Sequence, residues 1–140
     1  MPRATDKAAS ERFATTRAAH RDEYAEDYVE AVADLLATKG EARVRDLAET
    51  FGVSHVTVSR VVTRLQQAGL VDTAPYRPIT LTAKGRRLAE KVRRRHEEVV
   101  AFLLAIGVPK KQAEIDAEGI EHHVSDATIR AMRKVTERLG

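Results

Sequence analysis

The stretch Asp116-Ala-Glu-Gly-Ile-Glu-His-His-Val-Ser125 carries residue types and a spacing that suit metal chemistry. On a helix, Glu118, Glu121 and His122 stand at i, i+3 and i+4, so two carboxylates and an imidazole project from nearly one line. Crowded acids repel one another unless a cation sits among them, and oxygen donors mixed with imidazole suit Mn2+, Fe2+ or Zn2+. His123 points roughly 100° further round the helix and reads either as a partner of the ligands, the favoured reading, or as a helix-surface residue. The same pattern on an arbitrary helix is more often a solvated face, and spacing alone leaves both readings open. Two further signals are weak by themselves. Asp27 and Glu30 lie one turn apart on an N-terminal helix, and His96 interrupts an apolar stripe between Val92 and Val99. Taken singly, the acid pair reads as solvated and the histidine as a satisfied core residue.

These side chains need elements to hold them. The 140 residues, 43% apolar and 4% aromatic, can build a modest core of Leu, Val, Ile and Ala at helical spacing. Seven Gly and four Pro leave few turns for an all-β fold, so a mainly α chain is expected. No apolar run approaches the ~20 residues of a membrane span, and the N-terminus lacks the apolar stretch of a signal peptide. A cytoplasmic protein without a membrane partner is therefore expected. The absence of cysteine excludes disulfides and thiolate sites, so any metal is held by His, Asp or Glu. A net charge of +3 points weakly to nucleic acid.

Residues 1–19, rich in Ala, Thr and basic groups, read as a mobile N-terminal arm. From His20 the spacing of Tyr24, Tyr28, Val32 and Leu35 or Leu36 predicts a helix that Lys39-Gly40 ends. Val44, Leu47, Ala48 and Phe51 mark a short helix, Gly52-Val53 a turn, and Ser54 the cap of a second helix running to about Ala68. This is a helix-turn-helix pattern. Val58, Val61, Val62 and Leu65 form the second helix's inner face, while Ser54, His55, Thr57, Ser59, Arg60 and Arg64 can reach base edges or phosphates. Leu70-Val71 and Ile79–Leu81 around the turn 73–78 predict a two-stranded wing with Arg77 at its tip.

Thr82 caps a long helix continuing to Ile106, with a stripe of Leu88, Val92, Val99, Leu103 and Ile106. Lys84, Arg86, Arg87, Lys91, Arg93, Arg94 and Arg95 sheathe its first half, a run that is either solvated or draws phosphate. Pro109 opens a helix with Ala113, Ala117, Ile120 and Val124 on one face, and Ser125 caps a last helix carrying Ile129, Met132, Val135 and Leu139. Their apolar stripes predict a homodimer interface. The expected organisation is an arm (1–19), a winged helix-turn-helix DNA-binding domain (20–81) and an all-helical metal-binding and dimerisation domain (82–140).

From about His20 onward the chain resembles the manganese transport regulator branch of the diphtheria toxin repressor family. The matching motifs are EDYVEAV at 26–32, GEARVRDLAETFGVSHVTVSRVVTRLQQAGLV at 40–71, LTAKGRRLAE at 81–90, RRHEEVVAFLLAIGV at 94–108 and DAEGIEHHVS at 116–125. The resemblance implies metal ligation by Asp27, Glu30, His96, Glu118, Glu121 and His122, a set suited to two ions per chain. It also implies a homodimeric repressor that binds double-stranded operator DNA when Mn2+ is bound and controls manganese transport genes. The iron-responsive branch looks different, with a soft Met in place of Asp27 and a Cys in place of Glu118; hard oxygen donors at both favour Mn2+, with Fe2+ as the competitor. The alternatives are an iron- or zinc-responsive repressor on the same scaffold and a metal-independent winged-helix regulator. An enzyme is not expected, because no further acid, base or phosphate-cradling Gly loop stands nearby and no small organic substrate is implied.

Overall fold

The computed structural model describes the backbone of residues 4–140 and the side chains of residues 8–11 and 23–140. In chain order the elements are α1 (Ala4–Lys39), α2 (Val44–Phe51), α3 (His55–Gln67), β1 (Val71–Asp72), β2 (Thr80–Leu81), α4 (Ala83–Ala105), α5 (Lys110–His123) and α6 (Asp126–Leu139). The first helix starts at Ala4 rather than His20, since residues 4–39 contain neither Gly nor Pro to interrupt it. Most side chains of the expected arm, residues 1–19, lie outside the described residues.

Local chemistry explains the boundaries that follow. Gly52 adopts a left-handed conformation (φ 65°) that turns the chain between α2 and α3. The Ser54 hydroxyl accepts from the Thr57 amide at 3.1 Å, capping α3, and Ser125 caps α6 through Thr128 at 3.2 Å. The wing pairs Val71 with Leu81 and Asp72 with Thr80, and a bridge from Ala42 to Ile79 adds a third segment that the sequence did not announce.

Two apolar cores form. The head core joins Tyr28, Val29 and Val32 of α1 to Leu47 of α2, Val58, Val62 and Leu65 of α3, the wing, and Ala89 of α4. The body core joins Val99 and Leu103 of α4 to Ala113 and Ala117 of α5 and Ile129 of α6. The head therefore extends past the expected division at residue 81 into the start of α4. In the single chain the apolar stripe of α6 is only partly covered: Ile129 is buried, Met132 and Val135 are half-buried, and Leu139 is 59% exposed. Ile106, expected to close the α4 stripe, instead stands 53% exposed beyond the helix end.

The wing is locked onto α4. Thr82 donates through Oγ1 to the Gly69 carbonyl at 2.6 Å and through its amide to the Leu70 carbonyl at 3.1 Å. Lys84 reaches the Ala68 carbonyl at 2.8 Å. At Gly85 the helix touches the turn before β1 so closely that a Cβ would lie 2.0 Å from the Leu70 carbonyl oxygen. Gly85→Ala should destabilise the protein by about 2–3 kcal/mol through overpacking, despite alanine's better helix propensity. The loss is measurable as a lower urea midpoint.

Candidate metal centre and nucleic-acid interface

The α-helical spacing of Glu118, Glu121 and His122 turns all three from α5 toward α1 and α4. Ala113 and Ala117 are fully buried beneath them, and their small side chains let α5 approach α4 closely. From α4, His96 places Nδ1 2.7 Å from Glu121 Oε2 and 3.3 Å from Glu118 Oε1. From α1, Asp27 places Oδ1 2.9 Å from His122 Nε2, which is also 3.3 Å from Glu121 Oε1. Two groups of donor atoms result, Asp27 with Glu118 and His122, and His96 with Glu118 and Glu121, each within 4.8 Å. They share Glu118. Of the six expected ligands, only Glu30 stands outside both groups; it lines the adjoining groove with Asp27, Asp34 and Glu118.

The chemistry of the buried atoms fits a cation. Glu30 Oε2, Glu121 Oε1 and His122 Nε2 are withdrawn from water and make no hydrogen bond, which is costly for polar atoms unless another partner occupies the space they face. Burial pushes the carboxyls of Glu30 and Glu121 up to about 7, with the neighbouring Glu118 charge adding to both and Asp34 adding to Glu30. Burial alone would lower His122, but the Asp27 and Glu26 carboxylates set against its two nitrogens outweigh it and raise the imidazole to about 10. His96 is likewise raised, by Glu114, Glu121 and Glu118 against the effect of burial. A divalent ion among these groups would supply the charge that the protons otherwise supply.

Spacing alone did not single out four residues around the centre. Glu26 meets His122 Nδ1 at 2.5 Å, and Glu114 meets His96 Nε2 at 2.9 Å. Glu23 lies 3.1 Å from His123 Nε2, so His123 faces α1 rather than the ligand groups. Arg95, one of the expected basic sheath, is turned inward. It donates to the Glu121 carbonyl at 3.1 and 2.6 Å, to the Val124 carbonyl, and to Asp126 at 2.7 Å, capping the last turn of α5. The rest of the sheath is also partly spent on internal contacts: Arg86 donates to the Leu81 carbonyl, and Arg93 pairs with Glu90 and Glu97. Those partners could be found only once the helices were packed.

The second surface lies on the head. His55, Thr57, Ser59, Arg60 and Arg64 are all exposed on α3, while Ser54 is occupied with capping and stands 3.0 Å from the Thr57 hydroxyl. Arg77 is exposed on the wing, and Arg43 and Arg45 join it along a groove between α3 and the wing. These two arginines precede and open α2, where sequence pattern gave no reason to connect them with the wing.

Comparison with known proteins bears on both surfaces. Residues 22–79 match the iron dependent repressor N-terminal DNA binding domain, and residues 82–139 match the iron dependent repressor metal binding and dimerisation domain. The transcriptional regulator MntR of Escherichia coli O157:H7 is 46% identical over 130 residues, covering 93% of this chain and 84% of that protein. The HTH-type transcriptional regulator MntR of Lysinibacillus sphaericus is 42% identical over 100 residues, 71% of this chain and 72% of the relative. Among solved structures, a manganese-dependent transcriptional repressor in complex with manganese superposes with a TM-score of 0.69 at 34% identity, covering 83% of this chain and 52% of that one. The manganese regulator SloR gives 0.69 at 28% identity, covering 81% and 53%. The chain thus spans about half the length of these two solved proteins.

Two outcomes follow from the geometry. With Glu30 and Glu121 raised to about 7 and His122 to about 10, an ion bound by these groups would displace protons, and affinity for Mn2+ should rise as pH rises through about 7 and on toward about 10. Calorimetry in buffers of differing ionisation enthalpy would register the released protons; a pH-independent affinity contradicts the arrangement. On the head, Arg77→Ala should weaken binding to all duplexes and lower the slope of log K against log salt by about one. Arg60→Ala should instead cost about 1–3 kcal/mol on the preferred sequence and relax selectivity there.

Proposed function

This chain belongs to the iron-dependent, or diphtheria toxin, repressor family in its MntR branch, and on that premise we propose that it is a manganese-responsive repressor acting as a homodimer on operator DNA. The observation that carries this reading is the set of three buried atoms that make no hydrogen bond, Glu30 Oε2 from α1 and Glu121 Oε1 and His122 Nε2 from α5, gathered where head meets body. We propose Asp27, Glu30, His96, Glu118, Glu121 and His122 as the ligands, with Glu118 shared between two ions. Oxygen donors predominate over nitrogen and no sulfur is present, which suits Mn2+. A bound ion supplies positive charge that neutralises the crowded carboxylates. Manganese transport genes are the proposed targets, and no catalytic role is assigned.

The residues themselves account for the coupling. Tyr28, Val29 and Val32 fasten α1 into the head core, and Tyr28 stacks on Phe51 with ring centroids 4.4 Å apart. Asp27 and Glu30 on the same helix face His122 and Glu118 of the body. Drawing these acids toward α5 therefore sets the head, and with it α3, relative to the dimerising body. Two recognition helices bound to one face of a duplex must stand about one helical turn apart, ~34 Å, so fixing the heads favours DNA binding. Metal and DNA then strengthen each other's binding by the same factor, typically ~1–3 kcal/mol.

The test begins with selection of duplexes from a random pool by chelator-stripped protein, with and without Mn2+. The selected sequence is then titrated by fluorescence anisotropy against wild type and Glu118→Ala. Mn2+ should tighten wild-type binding about 5–150-fold and leave Glu118→Ala nearly unaffected. Equal binding without metal would overturn the mechanism, and stronger activation by Fe2+ or Zn2+ at matched free concentration would reassign the effector.

A further inference from the structure

The His122 imidazole is 1% exposed and presents its two nitrogens to different carboxylates. Nε2 faces the shared donor group, close to Asp27 and Glu121 but hydrogen-bonded to neither. Nδ1 lies 2.5 Å from Glu26 Oε2. Glu26 belongs to neither donor group, and its side chain, 19% exposed, is largely withdrawn from solvent. Adjacent residues on a helix project roughly 100° apart, which lets Glu26 and Asp27 take opposite edges of one ring.

An imidazole ligates a metal through a nitrogen that carries no proton, so the remaining proton sits on the other nitrogen. A carboxylate accepting from Nδ1–H holds that tautomer, prevents the ring from turning, and makes Nε2 a better donor. His96 has a comparable arrangement, with Nδ1 toward Glu118 and Glu121 and Nε2 toward Glu114. Glu114 is 48% exposed, however, so water competes for that bond as it does not at Glu26.

We propose that Glu26 is a positioning residue that fixes His122 as an Nε2 ligand and, by joining α1 to α5, aligns head and body before the ion binds. The inference rests on the metal-sensor reading above. It assigns the neighbouring acids of α1 different tasks: Asp27 meets the ion, and Glu26 meets the histidine.

The experiment uses full-length, chelator-stripped protein with the variants Glu26→Gln and Glu26→Ala. Mn2+ affinity is measured by calorimetry, and the imidazole ring is observed by 15N-edited NMR in protein loaded with diamagnetic Zn2+. In wild type, His122 Nδ1–H should give a downfield, slowly exchanging resonance. Glu26→Ala should abolish that resonance and weaken Mn2+ about 10–100-fold. Glu26→Gln, whose amide oxygen can still accept, should retain the resonance and recover part of the affinity. Wild-type affinity in Glu26→Ala would overturn the positioning role. Equal losses in both variants with an unshifted ring resonance would assign Glu26 to packing and overturn it as well. If wild type itself binds no Mn2+, the sensor reading fails and this inference with it; binding by wild type and Glu26→Ala alike removes only the positioning role.

Discussion

Glu30, Glu118 and Glu121 approach one another between α1, α4 and α5, and the difficulty of keeping them ionised there governs both halves of the molecule. Two of them hold protons up to about pH 7 because burial and mutual repulsion disfavour the charged forms. In the metal-free chain this has a definite sign. Carboxyls raised above their usual 4.5 stabilise the fold fully only below that value, and the contribution is lost as pH rises through about 7. His122 acts over a different range: its contribution is complete below about 6.5 and is lost as pH rises through about 10. On the proposed reading, a divalent cation would remove the repulsion without protons, and the residues that strain the metal-free chain near neutrality would then join its parts.

The proposed joining would act through α1, which has two commitments at once. One face of its second half is locked into the head by Tyr28, Val29 and Val32, all 3% exposed or less, and the other offers Asp27 and Glu30 to the body. A close-packed core moves as a unit, so under the proposed mechanism a pull on the acids would reach α3 rather than be absorbed. Gly85 and the Thr82 and Lys84 hydrogen bonds fasten the turn between α3 and the wing to α4 in the same way. Helix α3 and the wing are thereby held together against α4.

Electrostatics also sort the basic residues by task. Arg95 caps α5 and so holds the backbone of Glu121 in place, while Arg93 is balanced by Glu90 and Glu97. Arg60 on α3 and Arg77 on the wing stay exposed. A modest net charge of +3 therefore averages over an uneven distribution, with Asp27, Glu30, Asp34 and Glu118 gathered along one groove and arginines along another.

The order and type of most elements were legible in the sequence because their signals are local: the Ser54, Thr82 and Ser125 caps, the turn at Gly52, and apolar spacing along α2 to α6. The i, i+3, i+4 placement of Glu118, Glu121 and His122 was legible for the same reason, since one helix carries all three. Joining them to Asp27 and His96 required the family resemblance, because spacing within a helix says nothing about which helix it meets. Tertiary structure alone decided the rest. It turned Arg95 inward, set Glu26 and Glu114 against the outer nitrogens of the histidines, carried the head core into α4 at Ala89, and left Ile106 at the surface. Each of these depends on a partner at least 18 residues away in the chain or on where a helix stops, quantities that follow from packing the helices together and have no periodic trace in any one of them.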